Sequence, residues 1–225
     1  MMKKGRRLLL VLLALVIVAC GVSGYTYHNV HTPEYALDEM AEGIAEGNLS
    51  KVGSYVDGDR LVASAYDEGT TLLADHIEAL AAQYPADWFF RHDTAFMKQY
   101  IAERRNDDLV LIHRALDFYF DPQIAPAGAQ DQQAQWLAGE AAKFRDSYTA
   151  ERQSVTVTGG TAQAVYKITG KDTPYGRLVP SLTVKLDLEE QADGHWKVVR
   201  IANADEVFAP IVQGIEDYWT LQGWQ

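Results

Sequence analysis

Between Thr32 and Tyr148 the hydrophobic positions recur every three or four residues; past Ser154 they recur every second residue. The first spacing marks amphipathic helices and the second marks half-buried strands. Thr32-Pro33-Glu34 reads as a helix start, with a capping hydroxyl, a proline suited to the first helical position and an acid at the positive end of the dipole. Leu37, Met40, Ala41 and Ile44 continue that helix on one face, and Gly47-Asn48 ends it. Leu49, Val52, Tyr55 and Val56 predict a short second helix stopped at Asp57-Gly58, where Asp59 is expected to cap the next. A longer helix is predicted from about Asp59 to Tyr84, through Leu61, Ala65, Leu72, Leu73, Ile77 and Leu80, closed by Pro85. Trp88 to Phe120 is again helical in pattern, with a polar break near Asn106-Asp107-Asp108. The proline and glycine content of Asp121–Asp131 predicts a loop. Trp136, Leu137, Ala141, Phe144 and Tyr148 mark one more amphipathic helix.

The strand region opens with Ser154–Thr158 and Thr161–Thr169 flanking Gly159-Gly160, a hairpin signal. Leu182, Val184, Leu186 and Leu188 alternate cleanly with Thr183, Lys185, Asp187 and Glu189. Asp193-Gly194 makes the next turn and Trp196–Ile201 the last strand, whose apolar set changes face between Val198 and Val199, as at a bulge or under cover on both faces. Asn203 with Glu206 reads as a helix start, continued by Val207, Phe208, Ile211, Ile215 and Trp219, with Pro210 kinking it. Helices followed by a meander predict an α+β fold, with helices packed on one face of a curved antiparallel sheet of about four strands. The expected organisation is a signal sequence or single membrane anchor over 1–27 and one domain over 28–225. Within that domain 33–150 is mainly helical, 154–202 is the sheet and 203–219 is a C-terminal helix.

The first 27 residues follow a different pattern. Lys3, Lys4, Arg6 and Arg7 form a basic head, and Leu8–Val22 carries no charge over 15 residues. That length is short for a bilayer span of about 20 residues and suits a signal-peptide core. Extended to Tyr27 the segment reaches spanning length, with Tyr25 and Tyr27 at the outer interface. Ile17-Val18-Ala19-Cys20 resembles the lipobox of bacterial lipoproteins, a resemblance that implies Cys20 as a lipidation site. Three fates are open: an uncleaved anchor, a lipid-modified Cys20, and cleavage near Gly24 with release. The first two hold the domain on the extracytoplasmic side of the cell membrane.

Cys20 is the single cysteine, so neither an intramolecular disulfide nor a cysteine-based zinc site is available. Net charge is −11 overall, and beyond the basic head 16 basic residues face 31 acidic ones, a net of −15. Such a body repels nucleic acid and anionic lipid surfaces, so neither is expected as a partner.

Thr32-Pro33-Glu34-Tyr35-Ala36-Leu37 after an apolar segment, then Gly47-Asn48 leading to Tyr55-Val56-Asp57, resembles the opening of a family of uncharacterised bacterial membrane-anchored proteins. The strand Leu182–Leu188 followed by Asp193-Gly194-His195-Trp196-Lys197-Val198-Val199 and Ile201-Ala202-Asn203 resembles its end. The resemblance covers about residues 30–60 and 154–210 and implies an NTF2-like (cystatin-like) α+β domain, with an enlarged helical middle section. That fold hosts dehydratases and isomerases as well as binding modules, so function has to be argued from the site.

Candidate chemistry is sparse. His113 lies in the apolar pattern of Leu109, Ile112 and Leu116, and with Asp117 at i,i+4 it is the best acid/base pair available. A satisfied core or pocket-edge histidine is the competing reading. Tyr166 and Trp196 are pocket candidates on the strands, with core packing as their alternative. His28 and His31 read as tether residues. Asp57-Gly58-Asp59 lacks the further ligands of a calcium loop, and phosphate-loop, GxSxG and HExxH patterns are absent. No cofactor is expected. The leading expectation is a non-catalytic module binding a small ligand or a partner protein; the alternatives are a pocket enzyme of dehydratase or isomerase type and a structural envelope component. Both anchored fates predict that the full chain sediments with membranes and leaves them only with detergent. Recovery in the soluble fraction, with a mature N-terminus near Tyr25 by mass spectrometry, would overturn the anchor.

Overall fold

The computed structural model describes residues 30–83 and 92–210. Five helices come first: α1 (Pro33–Glu46), α2 (Leu49–Tyr55), α3 (Gly58–Gln83), α4 (Thr94–Phe120) and α5 (Ala129–Asp146). Strands β1 (Tyr148–Thr158) and β2 (Thr161–Gly170), a short helix α6 (Pro174–Leu178), β3 (Ser181–Glu190) and β4 (Trp196–Ile201) follow. The four strands form an open antiparallel meander in sequence order. The expected α+β arrangement of helices with a four-stranded antiparallel sheet is the one found. The expectations for 1–27 with Cys20, for Tyr84 and Trp88, and for Ile211 to Trp219 lie outside the described residues.

The helix boundaries follow from local chemistry. Thr32 Oγ1 accepts the Tyr35 N–H at 3.2 Å and Pro33 opens α1. Gly47 closes it at φ 67°, where a side chain would be strained, while the N–H groups of Gly47 and Asn48 return to the carbonyls of Ile44 and Gly43. Asn48 Oδ1 then caps α2 by accepting the Lys51 N–H at 3.0 Å. The reversal is tight because of Gly43: a Cβ there would sit 3.0 Å from Val52 Cγ2. The cap of α3 is Asp57 rather than Asp59, with Oδ1 accepting the Arg60 N–H at 3.1 Å. Asp59 is two residues past the cap position, already inside the helix.

Three further expectations change. No break occurs at Asn106–Asp108, and α4 runs unbroken. The charged residues there are paired: Arg105 forks onto Asp67 of α3 at 2.6 and 2.8 Å, Tyr66 donates to Asp108 at 2.9 Å, and Arg104 reaches Asp108 one turn on at 2.9 Å. Helix propensities of Asn and Asp cost well under about 1 kcal/mol each, so such pairing carries the helix through. On α5 the buried residues are Ala134 and Ala138, while Trp136 is half exposed. Tyr148 belongs to β1, which starts six residues before Ser154. Its pairing steps from Arg152↔Tyr166 to Ser154↔Val165, leaving Gln153 as an extra residue that breaks the period-2 signal.

The β1–β2 hairpin turns at Gly159, with φ 60°. In β4 the pairing steps from Leu188↔Val198 to Asp187↔Arg200, so Val199 is the extra residue and both valines are buried, as the shift in pattern predicted. Ala36 and Leu37 of α1 pack with Ala162, Ala164, Leu188, Trp196 and Val198 to form the main core. The alanines on β2 are small enough to let α1 sit close to the sheet. Beyond the end of β4, Asn203 does the work of a strand residue with its side chain. Oδ1 accepts the Lys185 N–H at 2.8 Å, and Nδ2 donates to the Thr183 carbonyl and to Glu206, both at 3.0 Å. Asn203 thereby opens the helical turn over 204–210 and ties it to β3. Asn203→Ala is expected to lower the unfolding free energy by about 2 kcal/mol, because two part-buried backbone groups lose their partners. Urea denaturation measures it, and a loss under about 0.5 kcal/mol would contradict this role.

Candidate functional site

The apolar faces of the five helices do not all close on one another. Between them lies a cavity of about 560 Å³, partly open to solvent. Met40 and Ile44 of α1, Leu49 and Val52 of α2, and Val56 form one wall. Leu61 and Val62 of α3 form a second, and Ile112, Ala115, Leu116, Tyr119 and Phe120 of α4 a third. Leu137, Ala138 and Ala141 of α5 complete it, with Gly53 and Gly58 at its edge. The hollow exists because several wall positions are Ala or Gly. Its volume falls within the roughly 300–1,000 Å³ usual for small-molecule sites.

The wall carries no carboxylate, imidazole or ammonium; its one hydroxyl belongs to Tyr119. That oxygen accepts a hydrogen bond from Arg145 Nη1 at 2.8 Å, and the guanidinium carbon lies 5.3 Å from the ring centroid. Arg145 is one turn beyond Ala141 on α5 and is half exposed. Its Nε also donates to Asp146 at 2.8 Å, and this carboxylate, ahead of Tyr119, strengthens its hold on its proton.

His113 and Asp117 lie elsewhere, in a shallow open depression with Asp59, Asn106, Leu109, Val110 and Arg114. His113 Nδ1 is 2.7 Å from the Leu109 carbonyl, which can only accept, so Nδ1 carries a proton; Nε2 is 3.1 Å from Asp59 Oδ1. Asp117 is met by Arg114 at 3.3 Å and not by His113. Arg114 forks onto Asp131 at 2.8 and 3.1 Å. Tyr166 and Trp196 join neither hollow: both pack in the core between α1 and the sheet, where burial raises the Tyr166 hydroxyl above its ordinary value. The four candidates are therefore split among a surface depression and the sheet core. Tyr119 and Arg145 had no sequence signal of their own, because their pairing depends on how α4 and α5 are aligned.

Among the described residues no group of three or more His, Cys, Asp or Glu side chains is arranged to hold a metal ion, and no helix is long and apolar enough to cross a membrane. No family model, curated protein or solved structure matches the chain.

The Arg114–Asp131 pair generates a pH dependence. Arg114, helped by the Ala127 N–H at 2.9 Å, holds the Asp131 carboxyl at about 2. A carboxyl depressed below its unfolded value of about 3.9 contributes stability in full above that value and loses it as pH falls through the folded one. The destabilisation caused by Asp131→Asn is therefore expected to be constant above about pH 5 and to vanish toward about pH 2. Thermal unfolding midpoints of the two proteins across that range measure it, and a pH-independent gap would refute the assignment.

Proposed function

We propose that this chain is a membrane-anchored, extracytoplasmic module of NTF2-like (cystatin-like) type that binds an apolar ligand between its helices and performs no catalysis. The observation that carries the reading is a ligand-sized cavity whose wall is hydrocarbon but for one hydroxyl. Apolar surface held open to water is unfavourable by about 25 cal/mol per Å², so an occupant that covers this wall is stabilised without any charged contact. The helices against a four-stranded meander support the fold assignment, and the pattern of 1–27 supports the anchor. The enzymatic alternative needs an acid and a base converging on one cavity. His113 and Asp59 lie in a shallow depression and Tyr166 in the core.

The test is covalent capture in native membranes. A photoreactive C16 alcohol, about 16 carbons long to suit the volume, is expected to label the full chain on the peptides carrying Ile112–Phe120 and Leu137–Ala141. Ala141→Phe, which projects a ring into the cavity from an exposed helix position, is expected to cut labelling at least about tenfold, while circular dichroism stays unchanged. Labelling spread evenly over the chain, or none, would refute the reading.

A further inference from the structure

Most of the cavity wall can only repel water, but the wall residue Tyr119 is hydrogen-bonded to Arg145, and these two residues put polar groups beside the site. Three observations bear on what those groups receive. The first is direction. The Tyr119 oxygen accepts from Arg145, which leaves its own O–H free to donate, and a phenol that accepts from a guanidinium is a stronger donor. The second is unused capacity. Arg145 has five N–H donors. Asp146 engages Nε and lies 2.7 Å from Nη2, and Tyr119 takes one donor of Nη1, so both terminal nitrogens keep one each. The third is sign. Arg145 is a half-exposed cation bonded to the wall residue Tyr119 in a body of net −15, so a cation there is not a by-product of general basicity. All the spare groups are donors, and they lie together on Tyr119 of the hydrocarbon wall and on Arg145 bonded to it.

We infer that the ligand is a single-chain carboxylic acid, its alkyl chain lying in the cavity against α4 and α5 and facing α1 to α3, and its carboxylate received by Tyr119 Oη and the spare N–H groups of Arg145. This inference rests on the reading of the cavity as an apolar binding site. A methylene occupies about the volume of a water molecule in the liquid, about 30 Å³, so 560 Å³ holds a chain of about 18 atoms. A carboxylate matches a guanidinium edge with two parallel hydrogen bonds, which an alcohol or an ester does not. Length and head therefore both select: each methylene removed from the chain weakens binding about fourfold, and loss of the charge weakens it further.

The experiment compares two photoreactive probes of equal C16 length, an acid and an alcohol, on the full chain in native membranes. Cross-links are mapped by mass spectrometry for the unaltered protein, Arg145→Gln and Tyr119→Phe. The acid is expected to reach half-maximal labelling of the α4 and α5 peptides at about a tenfold lower concentration than the alcohol. In Arg145→Gln that advantage is expected to vanish while alcohol labelling stays within about twofold, which also shows the cavity intact. If Arg145→Gln loses both labels through misfolding, Tyr119→Phe, which keeps the ring, decides: a reduced preference for the acid supports the inference and an unchanged one overturns it. Equal labelling by acid and alcohol in the unaltered protein refutes the carboxylate head and leaves the apolar site standing. Absence of both labels from the cavity peptides removes the apolar site itself.

Discussion

A single backbone hydrogen bond sets the course of the helical half. The Asp57 N–H donates to the Val198 carbonyl at 2.9 Å, and Val56 pairs with Val198 as an isolated parallel bridge. Val198 is in the last strand of the meander, whose outer edge would otherwise present bare N–H and C=O groups. Two consequences follow. The end of α2 is pinned to the sheet, and α3 starts from that pin, since Asp57 caps it through both its side chain and its carbonyl. Val56, Gly58 and Leu61, which flank the pin, are all cavity wall. The position of the wall is thus fixed by sheet pairing and not by packing among the helices alone.

The charged residues of the helical half are largely engaged with one another. Arg105 with Asp67, Arg104 with Asp108, Arg114 with Asp131 and Asp117, and Arg60 with Glu189 each join neighbouring elements or turns. Exposed pairs of this kind contribute little each, about 0–1 kcal/mol. They also act on the chemistry of the carboxylates, because one held by a guanidinium is a weaker base. Glu189 and Asp67 are held below the usual carboxylate range for that reason. The polar side chains sit on the surfaces of α3 and α4, and hydrocarbon is left to face the cavity.

The sequence made the strands and helix ends legible because both depend on neighbours along the chain. The alternation Leu182–Leu188, the glycine at the hairpin turn, the Thr32 cap and the bulge at Val199 were readable from spacing and residue type alone. The start of β1 was hidden by the bulge at Gln153, and the continuity of α4 by pairing to Asp67 across 38 residues. The cavity was the least legible feature. Its wall draws on five helices, and the alanines that hollow it out, Ala115, Ala138 and Ala141, look in sequence like ordinary helix formers. Tyr119 and Arg145 are 26 residues apart, and nothing local links them.

The hollow persists because each helix around it is held on another face. α1 is fixed to the sheet by Ala36 and Leu37; α4 and α5 are fixed to each other through Leu111, Phe118 and Ala134; α3 is fixed to α4 farther out by Ile77 and Met97. Closing the gap would require one of these clusters to open. An enclosed apolar void of 560 Å³ would cost about 13 kcal/mol at about 24 cal/mol per Å³, as much as the whole stability of a domain. A protein cannot hold such a void sealed and empty, so the cavity must either admit water along its open side or be lined by an occupant. Water finds a single hydroxyl to bond on a wall of hydrocarbon, whereas a flexible alkyl chain meets it throughout. On the proposed reading, the same anchoring that prevents collapse is what favours an apolar guest.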